Sequence, residues 1–430
     1  MFKVDTLLKY KGYPVKEARK IIKELIELDD LSEWQNKKKW EIFNFHYNNN
    51  EFYNKQVKNK YTNWEDIPVL TRYDLKGDYK KKIPFEIDLQ NSYISKTSGS
   101  SGVPLYFVKD KLSHALVWEE IFSHYERIGI SKSDYQARFY GIPLNRKGYY
   151  FERFKDLLIN RYRFVVFDLT YKTMERWLNK FKNKRFNYTY GYTKTLVEFA
   201  KFLTKKGIVL KDVCPTLKAC IVTSEVCIKP DCELLENAFG VEVYNEYGAS
   251  ELSVIGFGKL DNWRVSDEIL YLEVLDENNK KVEDGVPGRL VATLLFNKGT
   301  PLIRYDTGDI ASIIHRDGRT YITGLQGRLR EQAVLPSGKK VSGALFGYIV
   351  KEISEMIDIQ EFNFIQRSEN SIIFNYVADR YISEEEKSRG DMIFEKYLEK
   401  GINIGYNRVE SIKRSPSGKF KYFINEFNNK

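Results

Sequence analysis

Cysteine is scarce in this chain: four residues in 430. All four fall between Cys214 and Cys232, with five, six and four residues between neighbours and no Cys-x-x-Cys pair. That spacing argues against a zinc site and a disulfide framework, and the low count suits a reducing, cytoplasmic compartment. Cys220 sits in the apolar run Leu217–Val222, where a thiol serves as a small apolar filler. Long hydrophobic runs are also missing. Phe164-Val165-Val166-Phe167 is among the longest, far too short to span a bilayer. Met1-Phe2-Lys3-Val4-Asp5 lacks the apolar stretch of a secretory signal. No internal repeat and no low-complexity linker interrupts the chain. No Gly-Lys-Ser/Thr follows a glycine-rich loop, which excludes an ordinary P-loop NTPase.

What is present describes a folded protein. Hydrophobic residues make up 42% and aromatics 15%, enough for well-packed cores rather than disorder. At 430 residues the chain is expected to divide into two or three lobes. Lysine and arginine total 69 against 59 acids, a net charge of +10. That excess suits an anionic ligand such as a nucleotide, and equally a Lys/Asn-rich composition with no electrostatic purpose. Beyond net charge, nothing points to nucleic acid.

Residues 6–60 read as helical, with apolar positions at helical spacing from Val15 to Ile26. Trp64 to Leu75 reads as a turn leading into a helix capped by Thr71. Lys111 to Ile128 is expected to be helical. Strands at Tyr135–Gly141, Leu217–Thr223 and Val241–Tyr244 alternate with helices at Thr173–Phe181, Thr193–Lys206 and Asp231–Phe239, which predicts a layered α/β domain. From Ile269 to Ile313 the texture changes to strands with tight turns. Beyond Arg330 a smaller α+β module is expected. The Gly324–Arg328 stretch is the best boundary, giving domains 1–329 and 330–430.

Four segments carry chemistry. Thr97-Ser98-Gly99-Ser100-Ser101-Gly102-Val103-Pro104 is a hydroxyl-rich loop between two strands, able to wrap phosphate oxygens with amides and side chains; it also reads as a plain turn. Tyr244-Asn245-Glu246-Tyr247-Gly248-Ala249-Ser250-Glu251 offers an aromatic slot for a purine and a carboxylate for magnesium. Its other reading is a strand-end turn. Pro301–Asp309 ends in Thr307-Gly308-Asp309, whose carboxylate suits a ribose diol or an ordinary turn. Ser415-Pro416-Ser417-Gly418-Lys419-Phe420 holds a lysine at a tight turn, or is a solvated basic tail.

In this fixed order the four segments resemble the adenylate-forming superfamily of acyl-CoA synthetases, adenylation domains and luciferases. The chain is most similar to the phenylacetate–CoA ligase branch, including the CapK-like proteins of capsule clusters. Pro68–Leu75 resembles that branch's Pro-x-Leu-Thr-Lys-x-Asp-Leu segment, Tyr247-Gly248-Ala249-Ser250-Glu251 its Tyr-Gly-x-Thr/Ser-Glu motif, and Arg304–Asp309 its Arg-Tyr-x-Thr-Gly-Asp motif. The likeness covers about residues 60 to 425. It departs at three places: Arg330 stands at the hinge, Ser224-Glu225 replaces Gly-Glu beside the adenine, and a Cys/His insertion of some relatives is absent from Leu252–Asp267. No attached carrier domain is discernible.

The resemblance implies a large adenylate-forming domain, a hinge at Arg330 and a small mobile α+β domain. It implies ATP-dependent formation of an acyl-adenylate with release of pyrophosphate, then transfer to CoA. Transfer to an amine, a sugar or a carrier-protein thiol is the alternative, as in polysaccharide biosynthesis; a non-catalytic nucleotide-binding relative is a third. Thr97, Ser98, Gly99, Ser100, Ser101 and Gly102 would grip the β- and γ-phosphates, and Glu251 would hold Mg2+. Ser224, Glu225, Asn245, Glu246, Tyr247, Gly248 and Ser250 would surround the nucleotide. Asp309 would bind the ribose with Arg328 alongside, and Lys419 would bridge the carboxylate and the α-phosphate. Tyr140, Gly141, Tyr190, Tyr244 and Ala249 would line the acyl pocket, whose aromatic character suggests an aromatic acid. Arg138 and Arg146 read first as surface charges, with a second carboxylate or phosphate of the substrate as their other role. A homodimer is left open.

Overall fold

The computed structural model describes residues 4–97, 104–143, 145–260, 262–328, 332–343, 345–412 and 423–426. It divides into two compact units. One holds residues 1–307 and 311–324; the other holds 308–310 and 325–430.

The first unit opens with helices Val4–Tyr10, Val15–Ile26, Ser32–Asn49 and Glu51–Val57, as the apolar spacing predicts. Trp64–Asp66 is one short 3-10 turn. Thr71 caps no helix, contrary to expectation. The Asp74 carboxylate instead accepts hydrogen bonds from the Thr71 amide (2.7 Å) and hydroxyl (2.6 Å) and closes a turn. A short Asp side chain competes well for nearby backbone donors, and that favours a turn over a helix.

Strands β1 (Tyr93–Lys96) and β2 (Tyr106–Lys109) pair antiparallel. Next comes helix Lys111–Glu126, capped by the Asp110 carboxylate on the Ser113 amide at 3.0 Å. The chain then enters a parallel sheet. Strands β3 (Gln136–Tyr140), β4 (Arg161–Val165), β5 (Tyr188–Tyr192), β6 (Ala219–Thr223) and β7 (Val243–Ala249) lie in the spatial order β4-β3-β5-β6-β7. All of these neighbours pair parallel. Helix Arg146–Leu158 and strand β4 fall in a stretch where the sequence pattern signals no element.

Strand alternation divides the sheet's two faces. Ala137, Phe139 and Phe164 pack with Leu178, Phe181, Phe199 and Phe239 in an aromatic core. Phe139 and Phe164 stack at 4.6 Å and 9°. The other face packs Tyr188, Tyr190 and Ile221 with Tyr125 of helix Lys111–Glu126 and with Phe257. Each fully buried aromatic stabilises by about 1.5–3 kcal/mol, so this sheet is a rigid platform.

After β7 the sheet turns antiparallel through β8 (Ser253–Lys259) and β9 (Asn262–Val265). It extends over β10 (Leu270–Leu275), β11 (Gly288–Leu294), β12 (Tyr305–Arg316) and β13 (Arg319–Arg328). In the second unit, β14 (Gln332–Val334) and β15 (Lys340–Ser342) form a hairpin. Strands β16 (Glu361–Ser368), β17 (Ser371–Val377), β18 (Asn403–Arg408) and β19 (Phe423–Asn425) form a four-stranded sheet in the order β18-β17-β16-β19. Phe346, Phe364, Phe374 and Phe394 fill its core with helices Leu345–Ile353 and Glu384–Tyr397. Among the described residues no helix is long and apolar enough to cross a membrane.

Candidate active site

The carboxyl ends of β3, β5, β6 and β7 lie side by side, which is where open α/β sheets place their ligands. Four expected site residues meet there: Tyr140, Ser224, Tyr190 and Glu246. Tyr140 ends β3, and its hydroxyl lies 3.3 Å from Oγ of Ser224 just beyond β6. Ser224 adopts φ +69, a left-handed conformation that costs a non-glycine residue energy. A glycine fits that backbone without strain; here the serine adds a hydroxyl facing Tyr140. Tyr190 of β5 donates to one oxygen of Glu246 on β7 at 2.7 Å, and Tyr125 donates to the other at 2.8 Å. Burial pushes the Glu246 carboxyl above its ordinary range, against the pull of those two hydroxyls and of Arg138. Tyr140 and Tyr190 stack at 6.0 Å and 23°. Glu246 therefore stands with the residues expected to line the acyl pocket.

Glu225 is turned to helix Thr193–Lys205: its Oε2 accepts from the Lys194 amide at 2.9 Å. Gly141 fixes its strand end by accepting at its carbonyl from Arg163 at 2.7 Å. Tyr244 stacks on Phe257 at 5.7 Å and donates its hydroxyl to Glu242. On β7, Asn245 pairs with both Val222 and Gly258, and Ala249 with Ser253. Tyr247 lies opposite Gly256 beside a bulge in the ladder. Gly248 is demanded by sterics, because a Cβ there would meet the Ser253 carbonyl oxygen at 2.2 Å.

Ser250 is exposed and Glu251 buried, with 8% of its surface accessible. Oε1 of Glu251 accepts from the Tyr305 hydroxyl at 2.8 Å. Its Oε2 takes no hydrogen bond from a described residue and is not among the sealed, unpartnered atoms. One oriented carboxylate with a free oxygen fits a hard cation that takes its other ligands from phosphates and water. Lys109 lies nearby, with Nζ on Oγ of Ser253. Burial brings the Lys109 ammonium down to about 7, against the attraction of Glu251.

Within the Arg-Tyr-x-Thr-Gly-Asp segment, Arg304 is structural. It is fully buried, donates to the Glu65 and Ile67 carbonyls (2.7 and 2.6 Å) and pairs with Glu273 at 3.3 Å. Asp306 pairs with Arg289 at 2.9 Å. Asp309 is buried on β12 after Gly308, whose φ is +79. Thr97 is buried, and its Oγ1 accepts from Arg72 and from the Leu105 amide, both at 3.0 Å. The Thr97 hydroxyl thus closes the base of the hairpin. Ser98, Gly99, Ser100, Ser101, Gly102, Arg330 and Lys419 lie outside the described residues. Arg328 lies on β13.

Three residues that the sequence reading left without a site role prove to border this region, Tyr125, Tyr305 and Lys109, and with them stands Arg138, read first as a surface charge. Arg138 is no surface charge. Its Nε is buried and its guanidinium lies over the rings of Tyr140 and Tyr190. The signal in the sequence is its place two residues before Tyr140, on the same strand face. Arg146 is exposed, as expected.

Comparisons with known proteins bear on the fold. Residues 334–426 match the CapK C-terminal domain. Across 94% of its length the chain is 24% identical to Protein CapK of Staphylococcus aureus, covering 91% of that protein. 2-Hydroxyisobutyryl-CoA ligase, solved in the postadenylation state with R3-HIB-AMP, superposes with a TM-score of 0.68 at 16% identity, covering 91% of this chain and 89% of the ligase. Amide bond synthetase McbA from Marinactinospora thermotolerans superposes with a TM-score of 0.54 at 13% identity, covering 78% and 69%. The chain has the fold of the adenylate-forming ligases and carries a CapK-type C-terminal domain.

Proposed function

We propose that this protein activates a carboxylic acid with ATP and hands the acyl group to a second nucleophile. A carboxylate oxygen attacks the α-phosphorus; the new O–P bond forms as the bond to pyrophosphate breaks. CoA thiol then attacks the acyl carbonyl, a C–S bond replaces the C–O bond to AMP, and the thiol proton goes to solvent. The observation that carries this reading is the Tyr305–Glu251 hydrogen bond, which joins two separate motifs at one carboxylate.

The chemistry asks mainly for positioning and charge neutralisation. Glu251, with Ser250 beside it, would hold Mg2+, which when bound neutralises phosphate charge. Ser98 to Gly102 would grip the departing pyrophosphate, and Asp309 the ribose, with Arg328 nearby. Tyr247 would flank the adenine. Lys419 would stand between the attacking carboxylate and the α-phosphate, two anions whose repulsion at 4 Å is on the order of 1–4 kcal/mol. CoA is the leading acceptor, since CoA ligases stand among the proteins that share this fold. An amine is the other acceptor.

ATP–pyrophosphate exchange against a library of acids tests the first step. Lys419→Ala is expected to abolish acid-dependent pyrophosphate release while ATP binding persists; undiminished release removes Lys419 from the mechanism. Adding CoA and seeking a thioester then distinguishes the acceptors.

A further inference from the structure

The face of β3 and β5 that carries Tyr140 and Tyr190 also carries a cation that the activation chemistry leaves unused. The guanidinium carbon of Arg138 lies 4.4 Å from the ring centre of Tyr140 and 4.7 Å from that of Tyr190. Its Nε is buried without a hydrogen-bond partner. Among the described residues Arg138 forms neither a hydrogen bond nor an ion pair within 4.0 Å. Glu246 is close enough to feel its charge, yet already accepts from Tyr125 and Tyr190. The acids Asp156 and Glu152 pair instead with Arg161 and Arg163.

A guanidinium offers five N–H donors in one plane. Aromatic rings satisfy its faces by cation–π attraction but none of its edge donors. Arg138 is half-buried: only its Nε is sealed, and its terminal nitrogens reach solvent, so they form an open edge with no protein acceptor on which a ligand oxyanion can dock. Bidentate pairing with a carboxylate or phosphate is what that fork fits best.

We propose that the acid bound here carries a second anionic group, a carboxylate or a phosphate, that docks on Arg138 beside Tyr140 and Tyr190. The inference rests on the activation reading above and refines it: the substrate is a polar, doubly anionic acid rather than a plain aromatic one. Tyr140, held by Ser224, fixes one side of the dock, and Tyr190, held by Glu246, fixes the other.

The test uses the full chain with ATP and matched acids: benzoate against terephthalate, butyrate against succinate, glycerate against 3-phosphoglycerate, with 4-hydroxybenzoate as a singly charged control whose added group is polar but uncharged. Thermal shift reads binding, and ATP–pyrophosphate exchange reads turnover. At least one doubly anionic acid is expected to raise Tm and to exceed its singly charged partner at least tenfold in kcat/KM. Arg138→Met is expected to erase that preference with ATP KM unchanged, and Arg138→Lys to restore part of it. The succinate and terephthalate arms against the phosphoglycerate arm tell carboxylate from phosphate. Equal response to the singly charged acids, the hydroxybenzoate included, overturns the proposal, as does a preference that survives Arg138→Met or no binding by any acid. Binding without exchange would leave the dock standing and remove the activation reading. Exchange without discrimination would do the reverse.

Discussion

The Tyr305 hydroxyl donates to Oε1 of Glu251 at 2.8 Å, joining the end of the Tyr-Gly-x-Ser-Glu segment to the start of β12. The two residues are 54 positions apart in the chain. Tyr305 is itself 1% exposed, so its hydroxyl holds a fixed position. The bond orients one carboxylate oxygen and leaves the other available.

Tyr305→Phe is expected to leave that buried oxygen without its donor, destabilising the fold by about 1–3 kcal/mol. In exchange assays it should raise the magnesium requirement several-fold, whereas Glu251→Gln should nearly abolish turnover. Magnesium titration of both variants checks this; an unchanged requirement in Tyr305→Phe would separate Tyr305 from the site.

Ser224 carries a left-handed backbone, φ +69. Glycine adopts it freely, and a β-branched residue resists it strongly. Ser224→Gly is expected to stay within about 1 kcal/mol of the parent, because relieved strain offsets the lost contact with Tyr140 and the looser unfolded chain. Ser224→Val should cost about 2 kcal/mol or more. Urea denaturation of the two variants decides it; similar costs for both would deny the strain.

Gly248 has no room for a methyl group, since the Ser253 carbonyl oxygen lies 2.2 Å from where its Cβ would be. Gly248→Ala must push β7 from β8 and is expected to cost about 2–4 kcal/mol, in the range of severe overpacking. It should also displace Glu251 three residues on. A near-parental Tm would show that the bulge yields.

Lys109 titrates near 7 in the folded chain, because burial disfavours the ammonium, against about 10.4 for an unfolded lysine. Between those values the unfolded state binds more protons, so this group's contribution to stability rises with pH. The penalty is complete below pH 7 and gone near 10.4. Lys109→Met is therefore expected to exceed the parent in stability at pH 7 by on the order of 2–4 kcal/mol, with the gap closing towards pH 10. Denaturation at several pH values tests this; a gap that ignores pH would show that Lys109 is not protonated by unfolding.

Much of the fold was legible because period-2 and helical apolar patterns are local. The strands at Ala219–Thr223 and Val243–Ala249, and the helices between, follow from such runs. Helix Arg146–Leu158 was not legible, since it buries little: Tyr150, Phe151, Phe154 and Leu157 are exposed. Thr71 shows the opposite limit, where a good helix-capping residue closes a turn with Asp74 instead.

By itself the sequence determined the order of the motifs and the residue types they offer, because a glycine before a carboxylate or a run of hydroxyls is readable without neighbours. Only the tertiary structure decided which of those groups are available. It turned Arg304 and the Thr97 hydroxyl to structural work, left Glu251 one free oxygen, and moved Arg138 from the surface to the Tyr140–Tyr190 pair. The physical reason is that availability depends on burial and hydrogen-bond partners, which residues far apart in the chain supply only once the sheet is assembled.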